Sequence, residues 1–143
     1  MPTRLVAALS VFAILGCTTG ATHEALPFEI TANRAQGWFD YRSEWAVYRD
    51  PAAPFRDLNV LRRPPECINI VNGTGKSSDR FNWLRGRHVQ IEGELIPYLS
   101  LPQPGGPAGA LLEFRVWNGE RVYNSCLVDD VFVARSIRAT PRR

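Results

Sequence analysis

Few side chains in this chain are spaced for catalysis. His88 is the histidine best placed to act as a general base, because His23 falls in a small-residue polar stretch near the N-terminus. A base needs a nucleophile and an orienting group beside it, and nothing in the sequence fixes a Ser or Cys next to His88. No serine sits in a G-x-S-x-G elbow. Asn72-Gly73-Thr74-Gly75-Lys76-Ser77 ends like a phosphate-binding loop, but the first glycine of such a loop would stand where the chain has Ile70. It reads as a turn. Asp129-Asp130 lacks the spaced oxygen ligands of a calcium site. Glu92 and Glu94 alternate with apolar residues and mark the wet face of a strand. Two carboxylates brought together by the fold are the one catalytic arrangement this spacing leaves open.

Binding chemistry is better represented. Residues 38–48 hold five aromatics: Trp38, Phe39, Tyr41, Trp45 and Tyr48. On a strand, Phe39, Tyr41, Trp45 and Val47 share one face. On a helix, Trp38, Tyr41, Trp45 and Tyr48 do. The aromatic and β-branched content selects the strand, bounded by Gly37 and Pro51. Filling a small core is the first role of such a run. The second is a stacking platform for sugars or bases, with Arg42 and Arg49 alongside. Trp38, Tyr41, Arg42, Trp45, Tyr48 and His88 are therefore the candidate ligand-binding residues.

The N-terminus carries a different kind of information. Arg4 precedes an apolar run from Leu5 to Leu15, too short to span a bilayer and of the length of a signal segment. The run ends in Ile14-Leu15-Gly16-Cys17. These four residues resemble the lipobox of bacterial lipoproteins. The resemblance implies cleavage before Cys17, lipidation of Cys17, and, with Thr18 next, an outer-membrane lipoprotein facing the periplasm. The alternative is ordinary signal cleavage after Ala21. Residues 1–17 are thus read as the signal segment, 18–26 as a tether and 27–143 as a single β-rich domain. Cysteine parity agrees: of Cys17, Cys67 and Cys126, the first is acylated or cut away, and the other two are left in a compartment where disulfides persist.

The elements that must position these residues are strands. Phe28-Glu29-Ile30 starts one, and Cys67-Ile68-Asn69-Ile70-Val71 is a short buried one. Asp79 is read as capping a helical turn through Trp83-Leu84. His88 to Ile96 alternates cleanly, with Gly93 as a bulge or bend. Residues 111–117 and 120–126 flank Asn118-Gly119, a hairpin signal. A two-residue turn pairs Phe114 with Tyr123, whereas a bulged turn pairs Phe114 with Val122. Val131 to Ile137 is the last strand. Residues 51–65 and 97–109 are Pro- and Gly-rich loops. The segment Leu84 to Gly93, a Gly-basic turn leading into a strand that bends at a second Gly, is similar to one found in OB-like barrels, and Val133 to Ile137 is similar to their closing strand.

The expected fold is mainly β: a single small OB-like or Greek-key barrel or sandwich, with one disulfide (Cys67–Cys126) and at most one or two short helices. Formal charge is +3, from 16 Arg and Lys76 against 14 acidic residues, and the arginines are scattered rather than clustered. Nucleic acid is accordingly a disfavoured partner. The expected partners are the membrane, through the N-terminal lipid, and an envelope protein or glycan. No cofactor and no metal site are expected. The function that fits is an exported, lipid-anchored, non-catalytic binding or structural module of the envelope. Its rivals are a glycan- or single-stranded nucleic-acid-binding domain and a small periplasmic hydrolase centred on His88.

Overall fold

The computed structural model describes residues 26–41, 44–53, 66–105 and 114–141. The signal segment with Cys17, most of the tether, Arg42, residues 111–113 and the terminal arginine pair lie outside them. Eight strands form: β1 (Glu29–Ile30), β2 (Arg34–Tyr41), β3 (Trp45–Tyr48), β4 (Cys67–Asn72), β5 (Arg87–Pro97), β6 (Phe114–Trp117), β7 (Glu120–Tyr123) and β8 (Asp130–Ala139). Five of them close a barrel. β2 pairs with β3, β3 with β4, β4 with β8, β8 with β5, and β5 returns to β2. Every pairing is antiparallel except β4–β8. Among the described residues, the short 3₁₀ segments Ser78–Leu84 and Tyr98–Ser100 join strands. The domain is an OB-like Greek-key barrel with one disulfide, as the sequence implied.

The barrel interior follows from period-two alternation. Ala35 and Phe39 of β2, Trp45 and Val47 of β3, Ile68 and Ile70 of β4, Val89 and Ile91 of β5, and Phe132 and Ala134 of β8 point inward. Phe81 and Leu84 of the first 3₁₀ segment join the same cluster. A second cluster lies on the outside of the barrel, where Val71, Val131 and Val133 meet Leu101 and Val122 from the long β5–β8 connection. β4 is therefore buried on both faces, which is why its sequence reads as a nearly unbroken apolar run.

Four sequence readings change. Residues 38–48 are neither one strand nor a helix: β2 and β3 form a hairpin, with Tyr41 opposite Trp45 and Phe39 opposite Val47. The turn between them has no Gly, Pro or Asn to announce it. Gly37 does not bound the segment but sits inside β2, where a Cβ would meet Val47 Cγ1 at 2.6 Å and Tyr48 O at 2.8 Å. It marks close packing rather than a break. Asp79 is not the cap. Ser77 precedes the 3₁₀ segment, and no side chain caps it. Finally, residues 114–123 are not barrel strands. β6 and β7 make their own two-stranded sheet, and β7 ends at Tyr123 rather than at Cys126. Since the barrel closes through β4–β8 and β2–β5, it has no edge left for them to join.

The hairpin itself takes the tighter of the two registers. Phe114 pairs with Tyr123 across Asn118-Gly119, both with positive φ (49° and 83°), the backbone of a two-residue turn whose twist suits a hairpin.

Candidate functional site

The long connection from β5 to β8 folds back over the outer face of β4 and leaves a cleft beside it. The cleft has a volume of about 310 Å³. Tyr41 and Glu44 at the β2–β3 turn and Trp45 form one side. Asn69 to Asn72 of β4 form the floor, and Glu120 to Tyr123 of β7 form the opposite wall. The cleft thus lies along the second and third barrel strands, between the β2–β3 turn and the connection that leads to β8.

Asn69 holds these walls together. It is 1% exposed, and each end of its amide is bonded. Its Oδ1 accepts the Cys126 backbone N–H at 2.9 Å, while its Nδ2 donates to Ser125 Oγ at 2.7 Å and to Glu44 Oε2 at 3.3 Å. Two residues earlier, Cys67 is bonded to Cys126, with Cα atoms 5.5 Å apart. A buried amide and a covalent clip therefore fix the end of the β5–β8 connection three residues beyond Tyr123. The hydrogen bonds are individually modest, but leaving the Cys126 N–H unpaired would cost about 1–3 kcal/mol.

Glu44 is the chemically distinctive group. Burial at the cleft pushes its pKa up from 4.5 to about 7, partly opposed by the Tyr123 backbone N–H, which donates to the carboxylate. A proton held more tightly in the fold than in the unfolded chain stabilises the fold at low pH. That stability is fully present below about pH 4.5 and is lost as pH rises through 7. Because Glu44 is only half-buried, solvent screening reduces the effect to about 1–2 kcal/mol. We expect Glu44→Gln to raise the melting temperature at pH 8 by several degrees and to leave it unchanged at pH 4. An equal effect at both pH values would show that ionisation of Glu44 costs the fold nothing.

The structure divides the candidates proposed from sequence. Tyr41 and Trp45 reach the cleft. Tyr41 is 42% exposed, whereas Trp45 is mostly core, packed edge-on against Phe39 and Phe81. Trp38, Tyr48 and His88 form a different row, running across the outside of β3, β2 and β5. His88 is buried and fully engaged there. Its Nε2 donates to Pro27 O at 2.7 Å, so Nδ1 accepts from the Thr140 hydroxyl at 2.8 Å, and Trp38 stands edge-on to the ring. With both nitrogens committed and no carboxylate bonded to it, His88 has no free base for the hydrolase reading. Arg49 lies outside the cleft, paired with Glu66 and stacked over Phe28. Among the described residues, no three His, Cys, Asp or Glu side chains converge on a metal position.

Sequence reasoning missed Glu44, Asn69, Glu120 and Tyr123. Asn69 left a signal: a lone amide in a buried run needs partners, and its partners prove to be the cleft walls. Glu120 and Tyr123 lie about 80 residues from Tyr41, and only the fold of the β5–β8 connection brings them across. Phe114 and Tyr123 stack with ring centroids 5.5 Å apart, and the Arg121 guanidinium lies 5.0 Å from the Phe114 centroid. The hairpin wall thus carries a pair of rings with an arginine over one of them.

Comparisons with protein-family models, curated proteins and solved structures found no match to this chain.

Proposed function

We propose that this protein is an exported, lipid-anchored binding module that holds a glycan of the cell envelope in the cleft between β4 and the β6–β7 hairpin, without turning it over. The observation that carries this reading is the cleft's lining. Tyr41 and Tyr123 line the cleft, and tyrosine rings are suited to the C–H face of a sugar. The Glu44 and Glu120 carboxylates supply acceptors for hydroxyls. A single-stranded nucleic acid is disfavoured, because its backbone needs a cationic track, whereas among the described residues lining the cleft Arg121 is the only Lys or Arg and two carboxylates oppose it.

Binding of oligosaccharides from envelope polymers, followed by intrinsic tryptophan fluorescence, tests the reading. Tyr41→Ala should weaken binding by about 1–2 kcal/mol, the value of one lost ring contact. Release of shorter products during the titration would replace the binding module with an enzyme. Failure of any oligosaccharide to bind would reject the glycan. The anchor is tested separately. Mass spectrometry of membrane-extracted protein should find an acylated N-terminal Cys17, and an unmodified chain beginning near Thr22 would remove the lipid from the proposal while keeping export.

A further inference from the structure

The cleft is an acidic spot on a basic chain. Among the described residues, its charged lining is Glu44, Glu120 and Arg121, formally one net negative charge against +3 for the whole sequence. Arg121 does not neutralise Glu44. Its guanidinium stacks over Phe114, and none of the ion pairs found among the described residues involves Glu44. The donors Glu44 has are neutral, the Tyr123 backbone N–H and the Asn69 amide at 3.3 Å. A carboxylate offers about four acceptor positions, so capacity remains for a donor arriving through the cleft. The groups packed around Glu44 are Tyr41 from β2, Asn69 from β4, Glu120, Arg121 and Tyr123 from β7, and Tyr98 from the second 3₁₀ segment, itself stacked under Arg115. Three of these six residues are tyrosines. Tyr rings receive a cation on their faces, and a half-buried carboxylate attracts one more strongly than an exposed carboxylate does.

We propose that the ligand held in this cleft carries a free, protonated amine, with Glu44 as its counter-ion and the Tyr41 and Tyr123 rings beside it. Within the glycan reading on which this rests, the substrate class is an amino sugar whose nitrogen is not acylated. A neutral sugar leaves Glu44 with its half-desolvated charge uncompensated. An ammonium compensates it with a charge-assisted hydrogen bond, about twice the strength of a neutral one. Binding then removes the electrostatic penalty that the empty cleft imposes on ionised Glu44.

The experiment is a calorimetric titration at pH 7 and low salt with two probes, the glucosamine tetramer and its fully N-acetylated counterpart. They share a carbon framework and differ in the amine. Wild type is expected to bind the free-amine tetramer about tenfold more tightly or better. Glu44→Gln keeps size and hydrogen bonding and loses the charge. It is expected to bind both tetramers alike, having lost the preference for the free amine. Thermal melts of both proteins confirm that the variant is folded. Equal wild-type affinity for the two tetramers overturns the amine and leaves the glycan reading standing. A preference for the amine that survives Glu44→Gln overturns the role of Glu44. Absence of binding to either tetramer overturns the amino-sugar class, and binding of other oligosaccharides in the wider titration then decides whether the glycan reading falls with it.

Discussion

Replacing Cys67 and Cys126 together by alanine is expected to lower stability by about 4 kcal/mol, the chain-entropy value for a loop of this length. The bond closes a separation of 59 residues, which spans the whole of β5 and the hairpin. In the unfolded chain it forbids a large share of conformations. In the folded chain it sits among Ala46, Cys67, Cys126 and Tyr48, a small buried cluster that the barrel interior does not share. For a domain of this size the loss corresponds to a fall in melting temperature of roughly 15 °C. Reductant should shift wild type by a similar amount and leave the double variant unmoved. The same substitution reaches the cleft. Cys126 is the residue whose N–H closes on Asn69, and Tyr123 stands three positions before it. Ligand affinity should therefore fall even at temperatures where the barrel remains folded. A shift of less than about 2 °C in reductant would show that the bond contributes little to the fold.

The parts of this fold that sequence reveals are those fixed by local rules. β5 is long and alternates along most of its length, declaring its inward face through Val89 and Ile91. Asn118-Gly119 declares its hairpin because two consecutive positive φ angles select those residue types. The disulfide follows from parity and compartment, not from geometry. The β2–β3 hairpin was hidden because its turn is built of ordinary residues. Yet its faces survive the misreading: Phe39, Tyr41, Trp45 and Val47 still share a side, since a three-residue connection preserves the parity of the two strands. Local pattern thus finds the core even where it misplaces the chain reversal.

The site was less legible because it is assembled by non-local pairing. Tyr41 and Trp45 were found for their ring chemistry, which any environment would retain. Glu44 carries no local signal, and its altered acidity is created by burial that no window of sequence contains. His88 shows the converse. Its residue type suggested chemistry, while its environment, a carbonyl on one nitrogen and a hydroxyl on the other, makes it a structural link between the entering chain at Pro27 and the end of the barrel at Thr140. In each case the function of the side chain is set by what lies across the barrel from it.

Gly93→Ala is expected to cost more than about 4 kcal/mol and to prevent accumulation of soluble protein, an effect at the far end of what single substitutions do. Gly93 is where β5 changes partners. Up to Glu92 the strand pairs with β2 on one side and β8 on the other; from Gly93 onward its ladder is with β8 alone, and the register shifts between the two residues. At that corner the chains approach so closely that a methyl group has no room. An ideal Cβ on Gly93 would lie 1.9 Å from Val133 O and 2.9 Å from Phe132 Cε1. Neither neighbour can retreat cheaply. Val133 is paired with Val71 in the parallel β4–β8 ladder that closes the barrel, and Phe132 is fully buried in its interior. Gly93 is pinned as well, its N–H donating to Asn33 O at 3.1 Å and its carbonyl accepting from Arg135 Nη2 at 3.0 Å. Relief of the clash would have to open the β5–β8 seam and expose Phe132 and Ile91. Gly105→Ala is the control, because a Cβ there meets nothing within 4 Å. Urea midpoints of the two variants decide the matter. A Gly93→Ala protein within about 1 kcal/mol of wild type would mean that the bend at this corner can relax, and that the barrel is closed elsewhere than at the crossing of β5 and β8.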